Sequence, residues 1–207
     1  LTARPQTITI TVGKTRKSTP TKTSTTTSSD NIRIGLSFSG DPVISASGSF
    51  KVYEGSKKLG TFSKNEKVKV TFDQQKYQVK GDKTAFVLSK APRFVPVSSA
   101  ILRIDNYENH PGWKPELNDN EYRGSLEVHS YENGLVVVNE LPLEDYLKGL
   151  AEISATEPVE KIRAVIILAR SYASYYMDQA EKFPGAPFNL TDDPERSQKY
   201  LGYGFEI

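Results

Sequence analysis

The sequence predicts an α+β fold, with an antiparallel, β-rich N-terminal part followed by a C-terminal pair of helices that carry the candidate functional segment. Three observations predict it. Apolar residues recur with period two between Asn31 and Ser99, an Asn133-Gly134 step joins two further alternating runs, and the period lengthens to about 3.6 after Asn139.

Residues 1–30 hold eleven Thr and four Ser, a polar stretch with too little apolar surface to offset its ordering entropy, and are expected to form a flexible tether. Within it the alternation Thr7-Ile8-Thr9-Ile10-Thr11-Val12 is compatible with an edge strand. A domain over residues 31–207 follows, its first part, 31–99, reading as a β-meander and the remainder, 100–207, as an α+β part. In the meander, Ile32-Ile34-Leu36-Phe38, Phe50-Val52, Val68-Val70-Phe72, Tyr77-Val79 and Phe86-Leu88 alternate as half-buried strands do. Glu54–Lys58 and Asp73–Lys76 read as hairpin loops, and Arg123–Val128 pairs with Leu135–Val138 through Glu132-Asn133-Gly134.

Pro142 suits a first helical turn, after which Leu143, Tyr146, Leu147 and Leu150 share a face. A longer helix is expected from Thr156, which would cap it, with Glu157 and Glu160 near its positive end. Ile162, Val165, Ile166, Ala169, Ala173, Tyr176 and Met177 give that helix a core face, and it reads as buried. From Phe183 onward the chain is rich in Gly, Pro and Asp and is expected to be mostly loop.

Composition excludes several functions. Over 207 residues, 27 Lys and Arg against 25 Asp and Glu leave a formal charge of +2 and no basic block, so no nucleic-acid partner is expected. No apolar run reaches the length of a membrane span. Without cysteine there are no thiolate nucleophiles or Cys-type zinc sites. Two histidines, His110 and His129, stand without a ligand or triad partner pattern, so each reads as a surface or strand residue. Glycine-rich phosphate loops are absent, and no cofactor is expected.

Glu152 remains, between the two helices and flanked by Leu150, Ala151 and Ile153. Apolar flanks would partly desolvate its carboxyl and raise its pKa toward the range of a general acid. The competing reading is a carboxylate that caps or salt-bridges the next helix. Arg163 and Arg170, seven residues apart, project in nearly one direction and suit either a solvent-facing basic edge or anchors for an anionic or carbonyl group.

The runs Tyr122–Val128, Val138–Gly149, Pro158-Val159-Glu160 and Ala169-Arg170-Ser171-Tyr172-Ala173 resemble the stage II sporulation protein D and amidase enhancer (SpoIID/LytB) family. The similarity extends from Ile32–Leu36 to Gln198-Lys199-Tyr200-Leu201-Gly202. Members of that family are cell-envelope proteins, and the best understood are lytic transglycosylases that cut glycan strands stripped of their stem peptides. The resemblance implies an extracellular or envelope location, peptidoglycan glycan strands as partner and substrate, and a link to a cell-wall amidase. A membrane anchor outside this sequence is compatible with it. The family's catalytic Glu, six residues before the helix-opening Pro, falls on Glu152. Its basic residues fall on Arg163 and Arg170, and Tyr172, Gln198 and Tyr200 are expected to contact sugar. The family pattern of Met-Pro after the Glu is Ile153-Ser154 here, and Thr191 and Ser197 stand where some relatives carry cysteines, so no zinc is expected. The family's domain continues past the position matching Gly202, which implies a C-terminal truncation. Two alternatives to the enzyme are a glycan-binding or amidase-activating module and a structural envelope adaptor.

Overall fold

A computed structural model describes residues 30–112 and 115–206. The Thr/Ser-rich stretch and its Thr7–Val12 alternation lie outside the described residues. In chain order the strands are β1 (Asn31–Gly35), β2 (Val43–Ala46), β3 (Phe50–Glu54), β4 (Lys57–Phe62), β5 (Val68–Asp73), β6 (Lys76–Lys80), β7 (Ala85–Leu88), β8 (Pro92–Pro96), β9 (Leu102–Ile104) and β10 (Glu121–Tyr122). There follow β11 (Ser125–Tyr131), β12 (Gly134–Pro142), helices α1 (Leu143–Lys148) and α2 (Val159–Asp178), β13 (Leu190–Thr191) and a 3-10 turn at Tyr203–Phe205. The α+β class is as the sequence predicts.

These strands form two sheets, one of seven strands in the order β13-β1-β12-β11-β8-β3-β4 and one of six in the order β10-β9-β2-β5-β6-β7. The pairings are antiparallel except β1 with β13. Residues 31–99 therefore do not form one meander. β1, β3, β4 and β8 join the larger sheet while β2, β5, β6 and β7 join the smaller, and only β5-β6-β7 runs as a meander. The physical reason is burial: β1 is apolar at Ile32, Ile34 and Gly35 and finds partners on both edges, from β12 and from β13 more than 150 residues away.

Local chemistry explains most elements. The β5-β6 turn places Gln74 (φ 48°) and Gln75 (φ 62°) in the left-handed region that a two-residue hairpin requires, at a cost of about 1 kcal/mol each for residues with a Cβ. Lys57-Lys58 and the rest of β4 are too polar to read as a strand, yet they pair with β3 at the sheet's end, where lysines discourage further pairing. Pro142 precedes α1, whose Tyr146 and Leu147 are buried.

Helix α2 departs from expectation at two points. Pro158, not Thr156, occupies the position before the first turn and no side chain caps it, because Thr156 shares a hydrogen bond with Ser154. Nor is the helix buried: Ala169 and Ala173 pack inward, but Leu168 is 70% exposed and Val159, Ile167 and Tyr175 also face solvent. Its packed face places the small Ala169 and Ala173 deepest, with Ile166, Tyr172, Tyr176 and Met177 only partly buried beside them, so the covered stripe is narrow. One continuous core nevertheless joins Ile32, Phe50 and Leu126 of the large sheet, Ile44 and Val70 of the small one, and Tyr146, Ala173 and Tyr200 of the C-terminal part.

Candidate functional site

The segment after α1 is fixed by a short antiparallel pairing with the chain's last turn. Leu150 bridges Tyr200, Ala151 N–H donates to Lys199 O at 2.9 Å, and Leu201 N–H donates to Gly149 O at 2.9 Å. Gly149 permits this approach, since a Cβ there would lie 2.8 Å from the Tyr200 ring and 2.9 Å from Gly202 O. At the end of the pairing the Lys199 backbone N–H donates to Glu152 Oε1 at 2.6 Å.

Glu152 itself is exposed. Leu150 and Ile153 turn into the protein while the carboxyl between them faces water, so the desolvation expected from its apolar flanks does not occur. Beneath it lies a buried tyrosine cluster. The Tyr200 ring is 5.1 Å from that of Tyr146 and 6.4 Å from that of Tyr122, and its hydroxyl donates to Asn139 Oδ1 at 2.8 Å. Asn139 in turn donates to Arg123 O and Ser125 O, and Tyr146 donates to Gln198 Oε1 at 3.2 Å. Gln198 is thus a buried acceptor and Tyr200, 4% exposed, a core ring. Neither is exposed enough to serve as a stacking platform for a sugar. Both instead support the segment that holds Glu152.

The two arginines do not converge. Arg163 is exposed and donates to Glu160 on its own helix at 2.8 Å. Arg170 makes a two-pronged pair with Glu144 of α1, at 2.9 and 2.7 Å, beside an apolar groove lined by Leu147, Ala155, Ile162 and Ile166. Tyr172 is half-buried, with Lys182 donating to its hydroxyl.

Sequence reasoning missed an acidic cleft of about 420 Å³ beside Glu152's anchor, lined by Ser37, Tyr107, Asp119, Asp192, Lys199 and Tyr200 among others. Asp119 is 3% exposed and its Oδ1 meets no hydrogen-bond partner. Burial pushes its carboxyl up to about 6, against the pull of Lys199 and His110. Asp192 is likewise pushed up to about 6 by burial, even though Ser37 donates to it through N–H and hydroxyl. Burial, with the charges of Asp192 and Asp119, also raises the Tyr107 phenol. These residues come from four separate segments with no shared spacing, and the Asp192-Asp193 pair was the one local hint.

On the large sheet, Arg33 and Arg93 interleave with Glu127 and Glu140 at 2.6–2.8 Å, with His129 Nε2 2.8 Å from Glu127. His129 is thereby a strand residue within an ion-pair cluster, and His110 is an exposed partner of Glu108. Among the described residues no group of three or more His, Cys, Asp or Glu side chains is placed to hold a metal ion. No helix among them is long and apolar enough to cross a membrane.

Residues 131–206 match the family model of the stage II sporulation protein SpoIID. The resemblance is thus shown over α1, the Glu152 segment, α2 and the closing turn, while Tyr122–Val128 lies outside the matched range. The match is consistent with a cell-wall-related role. A stretch of 89 residues, 42% of this chain, is 44% identical to an uncharacterized protein of Brachyspira hyodysenteriae (strain ATCC 49526 / WA1), of whose length it spans 23%. No solved structure matches the chain.

Proposed function

We propose, from the match of residues 131–206 to the stage II sporulation protein family, that this chain cleaves peptidoglycan glycan strands as a lytic transglycosylase, with Glu152 as general acid and then base. The observation that carries the reading is the Lys199 N–H bond to Glu152, which fixes an exposed carboxyl to a residue that itself lines a cleft instead of leaving it to swing in solvent. In the first half-step the acid proton passes to the glycosidic oxygen as the C1–O bond breaks. In the second, the carboxylate takes the proton of the sugar's own C6 hydroxyl as O6 bonds to C1, leaving a 1,6-anhydro end. Atoms balance without a second carboxylate. A strand lying over Glu152 supplies the desolvation that the free protein lacks, since it displaces the water around the carboxyl.

Removal of stem peptides uncovers a lactyl carboxylate on each muramic ring, an anion suited to a guanidinium fork. Arg170 already presents that fork to Glu144, and because the pair is exposed it holds by no more than about 1 kcal/mol, so a substrate carboxylate exchanges into it at little cost. Arg163, with an exposed and single-pronged partner, is the second candidate.

The exposure of Glu152 favours one alternative, a glycan-binding or amidase-enhancing wall module in which a partner does the cutting. Mass spectrometry of peptide-free glycan incubated with wild type and Glu152→Gln decides between them. Anhydro-ended products from wild type alone support the enzyme, and their absence from wild type overturns it in favour of the module.

A further inference from the structure

We infer that the cleft lined by Ser37, Tyr107, Asp119, Asp192 and Lys199 is a sugar subsite that accepts an uncharged N-acetylglucosamine-type ring and rejects a carboxylate-bearing muramic ring, with Asp119 as its principal acceptor. The inference rests on the glycan-strand reading above and adds to it a register. Two observations on different footing carry it.

The first is an unmet acceptor. Asp119 is almost wholly buried, lines the cleft, and its Oδ1 finds no donor in the protein. A buried carboxyl oxygen without a donor costs free energy that folding alone does not recover, and a ligand hydroxyl or amide N–H restores the missing bond. Sugar rings present such donors in number.

The second is charge. Asp192 faces the same cleft with its oxygens taken by Ser37, and Asp193 adds a further acid to its lining. Lys199 is the basic side chain against them, and His110 acts on Asp119 from farther out. A lactyl carboxylate entering this space meets like charges in a poorly solvated setting, which repels it. A glucosamine ring carries hydroxyls and an amide but no acid. In a strand where the two sugars alternate, a cleft that takes one and refuses the other fixes which bond lies over Glu152, the neighbour of Lys199 through its backbone. Tyr107, Asn109 and Asp119 lie outside the residues that match the family model, so this wall is a feature of the chain's own β-rich part.

The test is equilibrium binding of the N-acetylglucosamine trimer, with N-acetylmuramic acid and N-acetylglucosamine as monosaccharide competitors, to wild type, Asp119→Asn and Asp119→Leu at pH 7.5. Wild type is expected to bind the trimer, Asp119→Leu to bind it at least about tenfold more weakly, and N-acetylmuramic acid to compete at least about tenfold less well than N-acetylglucosamine. Both variants should melt higher than wild type, because each removes a buried charge without a partner. A natively folded Asp119→Leu protein that binds the trimer as wild type does overturns the subsite, whereas Asp119→Asn, which keeps an acceptor oxygen, is expected to bind more tightly than Asp119→Leu. So does a wild type that binds no trimer, or equal competition by the two sugars. The transglycosylase reading is judged separately, by anhydro ends formed by wild type and lost in Glu152→Gln. A protein that makes those ends yet fails the binding test retains the reaction and loses this subsite.

Discussion

The backbone N–H of Lys199 holds Glu152 Oε1 at 2.6 Å, and this bond ties the segment after the first helix to the closing turn of the chain. Because it uses backbone on one side and an exposed side chain on the other, Glu152→Gln keeps an acceptor there and should cost less than about 1 kcal/mol of stability. Under the proposed mechanism the same change removes the proton carrier and should lower formation of anhydro ends by at least about a hundredfold. Thermal melting and product mass spectrometry on one preparation check both halves.

Gly202 adopts φ 71°, and a Cβ there would stand 2.4 Å from Glu121 O, so Gly202→Ala forces backbone apart where the closing turn meets β10. A loss of about 3 kcal/mol or more is expected, with turnover falling because the Lys199 donor shifts. Gly185 is the comparison, since it shares a positive φ (77°) but its Cβ would meet nothing within 4 Å; Gly185→Ala should cost only about 1 kcal/mol. Urea denaturation of both variants distinguishes collision from mere backbone preference.

Asp119 gives stability an unusual pH dependence. Its carboxyl is raised in the folded protein from 3.8 to about 6, so the native state binds the proton more tightly than the unfolded chain, and stability present below pH 4 is lost as pH rises through 6. A shift of this size corresponds to roughly 3 kcal/mol. Asp192 contributes with the same sign. Exposed His110 is raised as well, chiefly by its bond to Glu108, and also favours the acid side. The melting temperature should therefore fall between about pH 4.5 and pH 7, and Asp119→Asn should flatten that fall, which His110 alone would not allow.

Glu127 and Glu140 act in the opposite sense. Burial would raise both, but for Glu127 the bonds from His129 and Arg33 and the charges of Arg33 and Arg93 overcome it, and for Glu140 the bonds and charge of Arg93 do so with help from Asn31 and Arg33. Both are held below the usual carboxylate range, so their stabilisation is present above about pH 4.5 and is lost as pH falls below it. Glu140→Gln leaves two half-buried guanidiniums short of a charge partner and should cost about 2 to 3 kcal/mol at pH 7, measured by denaturant titration.

How much of this was legible in the sequence varies element by element. Period two exposed β1, β3, β5, β6 and β7, because a half-buried strand writes its requirement into adjacent residues, and the β11-β12 hairpin forms where the sequence predicts it, though its turn residues are Glu132 (φ 51°) and Asn133 and Gly134 already belongs to β12. Pro142 and the Leu143-Tyr146-Leu147 face marked α1 in the same way. β9 and β10 are too short, and β4 too lysine-rich, to carry a pattern of their own, while Val43-Ile44-Ser45-Ala46 of β2 and the proline-bounded Arg93-Phe94-Val95 of β8 do not alternate. The exposure of Leu168 and Ile167 was illegible as well, since an apolar helix says what it could bury but not how many neighbours will reach it.

By itself, then, the sequence determined the class of the fold, the helix junction that holds Glu152, and the family likeness of the C-terminal part. Local periodicity and contiguous motifs suffice for these, because each rests on residues within a few positions of one another. Tertiary structure alone decided that residues 31–99 divide between two sheets, that Tyr200 and Gln198 serve as buried supports, and that Asp119 and Asp192 face one cleft. Such outcomes depend on desolvation and on pairing between segments far apart in the chain, and a carboxyl acquires an altered acidity or an unmet bond only once distant residues have closed around it.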